Sequence, residues 1–104
     1  MSLFVAGLDA YIDTTVYIEC LQGSKSNTEK AKIKKVLSSF PLLPINSTVS
    51  EIAIGLIDKY SNSNGLALAD ALIASSALSA GLTVVTFNMA DFHFIENLNC
   101  SLPV

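Results

Sequence analysis

Residues 65–92, GLALADALIASSALSAGLTVVTFNMADF, decide the fold of this chain. Apolar residues recur there at helical spacing with others between them, which predicts a helix buried on nearly every side. Gly81 is the expected residue after the helix end, because glycine adopts a positive φ without strain. Residues 82–86 form a β-rich run without in/out alternation, as in a parallel strand covered on both faces. The stretch therefore predicts half of a βαβ unit.

Asp70 is the one charged residue of this predicted helix. A carboxylate is costly to bury without partners. One explanation is that Asp70 lies in the first helical turn, at the positive end of the helix dipole. The other is functional, since open α/β sheets bind ligands beyond the carboxyl ends of their strands. Asn88 and Asp91 follow the strand that ends at Thr86, so oxygen-bearing side chains could converge there on a divalent cation. The spacing leaves both explanations open.

Composition predicts one small, core-rich domain over residues 1–104. The chain has 51% hydrophobic residues and a mean hydropathy of +0.52, which suits a single hydrophobic core. We expect no membrane association, because no apolar run approaches spanning length. We also expect no secretory signal, because no basic segment followed by a long apolar run stands at the N-terminus. Cys20 and Cys100 are too few and too distant for a disulfide scaffold or a zinc site, so free thiols and a cytoplasmic location are expected.

The charge distribution argues against a general nucleic-acid binder. The net charge is −3 and the pI is about 4.8. All six basic residues are lysines, and five of them fall within residues 25–35. We interpret these lysines as the solvated face of a helix rather than as an RNA-binding patch. Tyr11, Tyr17 and Phe87 are expected in the core or in an interface rather than as base-stacking platforms.

The rest of the chain alternates strands and helices, which predicts an α/β fold with a mostly parallel sheet. A short strand near residues 10–12 precedes a helix that begins at Asp13 and ends near Gly23. Two capping boxes predict further helix starts. The expected elements that follow are a helix after Ser26-x-x-Glu29, an edge strand at 41–45, a helix after Thr48-x-x-Glu51, a loop at 61–65 and a last strand within 99–104.

Residues 70–92 resemble the C-terminal half of PIN-domain proteins, in particular the VapC-like toxins of toxin–antitoxin pairs. Three motifs stand at the spacing of that family: the acid of Asp70-Ala71-Leu72-Ile73-Ala74, then Gly81, and then Thr86-Phe87-Asn88-Met89-Ala90-Asp91-Phe92. Upstream, Glu19-Cys20-Leu21-Gln22-Gly23 is similar to its Glu-x-Leu-x-Gly helix. The resemblance covers residues 10–102 and implies a three-layer α/β/α PIN-like fold, shortened in its N-terminal half.

The resemblance implies an endoribonuclease dependent on Mg²⁺ or Mn²⁺. Glu19, Asp70 and Asp91 match its metal-binding and catalytic acids, and Thr86 and Asn88 match residues that line the substrate pocket. A hard cation would relieve the repulsion between such carboxylates and activate water at a phosphate. RNA is then the substrate, and an antitoxin protein is the expected partner.

The N-terminal part departs from the family pattern. Residues 13–18, DTTVYI, look like the motif that opens the family's first strand and helix, yet they run directly into Glu19 of the second motif. Either the first strand and helix are missing and Asp13 is incidental, or an internal segment is missing and Asp13 is the first catalytic acid. The first option leaves the sheet without its central strand. Residues 1–8 or a second chain would have to supply it, so we expect a homodimer. A shortened, inactive PIN-like binding module is the alternative function.

Overall fold

This computed structural model describes residues 2–103, which fold into strands interspersed with helices. Met1 and Val104, the ends of the predicted segments 1–8 and 99–104, lie outside it. The elements are β1 (Leu3–Ala6), β2 (Asp9–Asp13), α1 (Thr14–Gln22), α2 (Asn27–Leu37), β3 (Leu42–Leu43), α3 (Ser47–Asn64), α4 (Leu68–Ala80), β4 (Thr83–Val85), a 3-10 turn (Met89–Asp91) and β5 (Cys100–Ser101). The predicted α/β class is confirmed, as are the edge strand at β3 and the last strand at β5.

The five strands form one sheet in the order β3-β2-β1-β4-β5. The pairs β2–β3 and β4–β5 are parallel, whereas β1 is antiparallel to both β2 and β4. Four strands therefore point in one direction, which confirms the mostly parallel sheet, and β1 alone points in the other. The reason is local: a two-residue turn joins β1 to β2, and its Gly7 has φ +59°, as hairpin turns of this length require.

The strand β1 occupies the centre of the sheet. Phe4 pairs with Tyr11 of β2 on one side and with Val84 of β4 on the other, and its side chain is fully buried. The sequence left open whether residues 1–8 or a second chain would supply a central strand. Residues 3–6 supply it, so the sheet does not need a second chain.

The helix α4 is the buried helix that the sequence predicts. Its buried residues run almost without a break from the first turn to the last: Ala71, Ile73, Ala74, Ser75, Ser76 and Ala77. It packs most extensively against α3. Gly81 ends it in the left-handed conformation, at φ +67°, which confirms the predicted helix end.

The helix α3 differs from its prediction at both ends. Asn46 caps its start, because the Asn46 Oδ1 accepts a hydrogen bond of 2.9 Å from the Val49 N–H; the predicted Thr48-x-x-Glu51 box is wrong. The predicted loop at 61–65 is wrong as well, since α3 continues to Asn64 and only Gly65 turns left-handed. Buried Tyr60 explains the extension: its hydroxyl accepts a hydrogen bond of 3.1 Å from the Glu96 N–H, which anchors the C-terminal turns of α3.

The helices α1 and α2 begin where the sequence predicts, and α1 also ends at the predicted glycine. Asp13 caps α1 and Gly23 follows its last residue. The Ser26 Oγ accepts a hydrogen bond from the Glu29 N–H and caps α2. Within residues 2–103, no helix is both long and apolar enough to cross a membrane.

Candidate functional site

A cleft of about 430 Å³ opens where the chain leaves β4. Three parts of the chain form its walls: one face of α1, the first turns of α4 and the segment after β4, with Ser2 at one edge. The lining residues are Ser2, Val16, Glu19, Cys20, Asp70, Ile73, Thr86, Phe87, Asn88 and Phe92. The cleft therefore lies at the carboxyl end of a strand, where open α/β sheets bind their ligands.

Asp70 lies in the first turn of α4 and also lines the cleft. This position confirms the first-turn explanation, and the functional explanation stays a prediction. Burial, followed by the charges of Asp91 and Glu19, raises the pKa of the Asp70 carboxyl above its ordinary value. The preceding residue, Ala67, offers no side-chain cap to the helix. Ionisation of Asp70 is therefore disfavoured first by burial and then by the two neighbouring carboxylates.

Glu19 and Asp91 approach Asp70 from two other parts of the chain. Glu19 is an exposed residue of α1 and lines the cleft. Asp91 lies in the 3-10 turn outside the lining, yet its charge raises the pKa of Asp70 more than that of Glu19 does. The charges of two carboxylates from distant parts of the chain thus act on Asp70, although the three side chains are separated by up to 72 positions in the sequence.

Thr86 and Asn88 shape the loop that leaves β4. The buried Thr86 Oγ1 accepts a hydrogen bond of 3.1 Å from the Asn88 N–H and another of 3.3 Å from the Ser2 hydroxyl. Both residues line the cleft, and Asn88 is exposed. The Asn88 amide is consequently free to contact a ligand, while Thr86 holds the turn.

Asp13 is not among the residues that line the cleft. Its side chain is fully buried. The Asp13 Oδ1 accepts a hydrogen bond of 2.8 Å from the Val16 N–H, and its Oδ2 accepts one of 2.9 Å from the Ser76 hydroxyl. Burial raises the pKa of this carboxyl despite the hydrogen bonds, which lower it. The membership of Asp13 in the catalytic acids stays a prediction.

The sequence predicted Glu19 and Asp70 as site residues but not the side chains beside them in the cleft, Val16, Cys20 and Ile73. Val16, Glu19 and Cys20 share one face of α1, and Asp70 and Ile73 are three apart on α4. Helical spacing from the predicted acids could have found the apolar members. Burial raises the pKa of the Cys20 thiol, which disfavours the thiolate form that a nucleophile requires.

The donor atoms of the cleft suit a hard, partly hydrated cation. Within residues 2–103, no three His, Cys, Asp or Glu side chains are gathered closely enough to hold a metal ion among themselves. Mg²⁺, however, is commonly held by one or two carboxylates together with water and substrate phosphates. Glu19 and Asp70 offer two carboxylates. A bound cation would offset the charge repulsion that, after burial, raises the pKa of Asp70.

An α/β sheet with carboxylates at the end of a strand defines the class of fold, and comparison with known proteins gives the family. The family model of the PIN domain matches residues 4–94. The chain therefore belongs to the PIN domain family, whose members generally use divalent metal ions. Among solved structures, the chain is similar to one described as a toxin–antitoxin complex from Klebsiella pneumoniae, with 26% sequence identity and a TM-score of 0.75 over 90% of this chain and 73% of that one. No curated protein matches the sequence.

Proposed function

We propose that this protein is a metal-dependent endoribonuclease of the PIN type and the toxin of a toxin–antitoxin pair. The observation that supports it best is the cleft itself. Glu19 and Asp70 both line it, and the charge of Asp91 is close enough to raise the pKa of Asp70. Membership of the PIN domain family and the similarity to a toxin–antitoxin complex support the same assignment.

In this proposal Glu19 and Asp70 hold Mg²⁺ or Mn²⁺, with Asp91 adding negative charge beside them. A bound ion of this kind polarises water for attack on a phosphodiester and stabilises the charge that develops on the phosphate. Carboxylate ligands must be ionised to hold a metal, so we expect metal binding to weaken as the pH falls. The Asn88 amide contacts the RNA, and Thr86 keeps Asn88 in position through the hydrogen bond to its N–H.

The partner and the setting are part of the same proposal. An antitoxin protein is the proposed partner, and the proposed location is the cytoplasm, where RNA is available. A homodimer stays a prediction. The sequence predicts a dimer because the sheet would otherwise lack a central strand, and β1 supplies that strand. Sedimentation of the purified chain tests it directly.

The deciding experiment compares wild type with Asp70→Asn on a mixed pool of single-stranded RNA in Mn²⁺. Asp58→Asn is the matched control, because Asp58 is an exposed acid of α3 outside the cleft. We expect wild type and Asp58→Asn to cleave alike, with activity lost in Asp70→Asn and in wild type with a chelator. Equal cleavage by all three proteins would indicate a contaminating ribonuclease.

A second candidate is a catalytically inactive PIN-like binding module. One observation favours it: no group of three metal-ligating side chains forms within residues 2–103. Titration with Mn²⁺ separates the two candidates. A nuclease binds Mn²⁺ through Asp70 and loses that binding in Asp70→Asn, whereas folded wild type that neither binds Mn²⁺ nor cleaves RNA supports the binding module.

A further inference from the structure

Phe87 stands in the cleft wall with its aromatic ring in solvent. Its exposure is 79%, although it is among the largest apolar side chains of the protein. The sequence predicts this residue for the core or an interface; the core alternative is wrong. An exposed aromatic side chain beside the carboxylates of a proposed active site is a candidate for ligand contact.

The backbone around Phe87 is fixed while its ring is free. The hydrogen bond from the Asn88 N–H to the Thr86 Oγ1 spans Phe87 and closes a tight turn. Thr86 is buried, and the Ser2 hydroxyl contacts its Oγ1 as well. The backbone of Phe87 is therefore held at a defined place on the rim, and little backbone entropy is lost when a ligand packs on the ring.

The cleft lacks the usual means of holding a phosphate backbone. No lysine is present among its described lining residues. The chain has no arginine, and its six lysines are Lys25, Lys30, Lys32, Lys34, Lys35 and Lys59. The acids of the cleft repel phosphates in the absence of a cation. Recognition of RNA at this site therefore needs a contact that does not depend on charge, and stacking of a base on an aromatic ring is such a contact.

We propose that Phe87 stacks on an unpaired nucleobase of the RNA and positions the adjacent phosphodiester towards Asp70 and Glu19. This inference rests on the proposed function, since it assigns a positioning residue for the same cleft. Stacking requires the open face of a base, which a duplex does not offer except at its ends. Phe87 thus selects single-stranded RNA without reading its sequence.

The chain offers a direct spectroscopic test, because it contains no tryptophan. Phe87→Trp places a single indole on the cleft rim, and Ile54→Trp is the matched control at an exposed apolar position of α3 outside the cleft. Both are made in the Asp70→Asn background, so that the RNA stays intact. We expect a short single-stranded oligoadenylate to quench the fluorescence of Phe87→Trp saturably and that of Ile54→Trp little. The same strand in a duplex should have a weaker effect.

Affinity gives the second readout. In the Asp70→Asn background, we expect Phe87→Ala to raise the Kd for the oligoadenylate roughly 5- to 100-fold, and Phe87→Tyr to restore it. Unchanged affinity in Phe87→Ala, or RNA binding without quenching in Phe87→Trp, overturns the inference. So does a loss of self-association in Phe87→Ala with RNA affinity intact, which would make Phe87 an interface residue.

The two proposals fail separately. Metal-dependent cleavage that is equal in wild type and Phe87→Ala overturns the role of Phe87 and leaves the nuclease intact. Phe87-dependent binding of single-stranded RNA by a protein that never cleaves it supports the stacking role and overturns the proposed nuclease.

Discussion

The Ser76 hydroxyl donates a hydrogen bond of 2.9 Å to the Asp13 Oδ2, across 63 positions of sequence. Both side chains are buried. The other Asp13 oxygen accepts the Val16 N–H and caps α1. Asp13 therefore joins the start of α1 to the middle of α4, the two helices that carry Glu19 and Asp70. Its position gives it a structural role in assembling the cleft rather than a place within it.

We predict that Asp13→Ala lowers the free energy of unfolding by about 2–3 kcal/mol, because it removes a helix cap and leaves the Ser76 hydroxyl buried without its partner. Asp13→Asn keeps an acceptor oxygen for the Val16 N–H and should cost less. Urea denaturation gives both values. Cleavage per folded molecule should be retained in Asp13→Asn. If that variant is as stable as wild type yet inactive, Asp13 belongs to the catalytic acids.

The raised pKa of Asp13 predicts a pH dependence of stability. Between the ordinary aspartate pKa and the raised value, the folded state binds more protons than the unfolded state, so stability falls as the pH rises through that window. Above the window the cost of the buried charge is constant. Asp13→Asn removes this cost, and its stability relative to wild type should improve from pH 4 to pH 7. Urea midpoints across this range test the sign; a constant difference would contradict it.

Asp70→Asn should make the protein more stable while removing its response to metal. Burial and the charges of Asp91 and Glu19 disfavour the ionised Asp70. Because the site is partly open to solvent, the gain is on the order of a few tenths of a kcal/mol, or about 1–3 °C in Tm. The gain should vanish at acidic pH, where Asp70 is protonated in both states. Thermal unfolding with and without Mn²⁺ measures both effects, since a ligand that binds only the folded state raises Tm.

The contrary results are equally clear for this substitution. Lower stability of Asp70→Asn at neutral pH would show that the carboxylate is favourable at the helix start and is not under repulsion. A Tm shift by Mn²⁺ of equal size in Asp70→Asn and wild type would place the metal elsewhere.

Local signals in the sequence predicted the buried helix α4 and the ends of several helices. Gly81, Gly23 and the Ser26 cap act within one turn of the residues they serve, so the sequence around them carries the information. The apolar surround of Asp70 in α4 likewise pointed to an unusual carboxylate. Family resemblance then added Glu19 and Asp91, which helical spacing alone would not have joined to it.

Contacts between distant residues account for what the sequence did not predict. The extension of α3 through a polar, loop-like segment depends on buried Tyr60 and the Glu96 N–H, which are 36 positions apart. The burial of Asp13 depends on Ser76. The exposure of Phe87 depends on how the turn after β4 is held against Ser2. None of these pairings has a signature in the neighbouring sequence.

The start of α3 can be tested with a matched pair of substitutions. Asn46→Ala removes the side chain whose Oδ1 accepts the Val49 N–H, and we expect a loss of about 1 kcal/mol. Thr48→Ala removes the hydroxyl of the predicted capping box, which does not cap α3, and should stay within about 0.5 kcal/mol of wild type. Denaturant midpoints decide between the two caps. The reverse order of effects would place the cap at Thr48.

We predict that substitution by alanine has opposite effects on stability at two glycines. Gly55 lies inside α3, and Gly81 ends α4 with φ +67°; a Cβ at either position meets no atom within 4 Å. Space is therefore available at both, and backbone conformation alone decides the outcome. Gly55→Ala should raise the free energy of unfolding by about 0.5–1 kcal/mol, because alanine favours the helix. Gly81→Ala should lower it by about 1–2 kcal/mol, because alanine disfavours the left-handed conformation. Urea unfolding of both variants measures the difference, and a loss of stability in Gly55→Ala would contradict the argument from helix propensity.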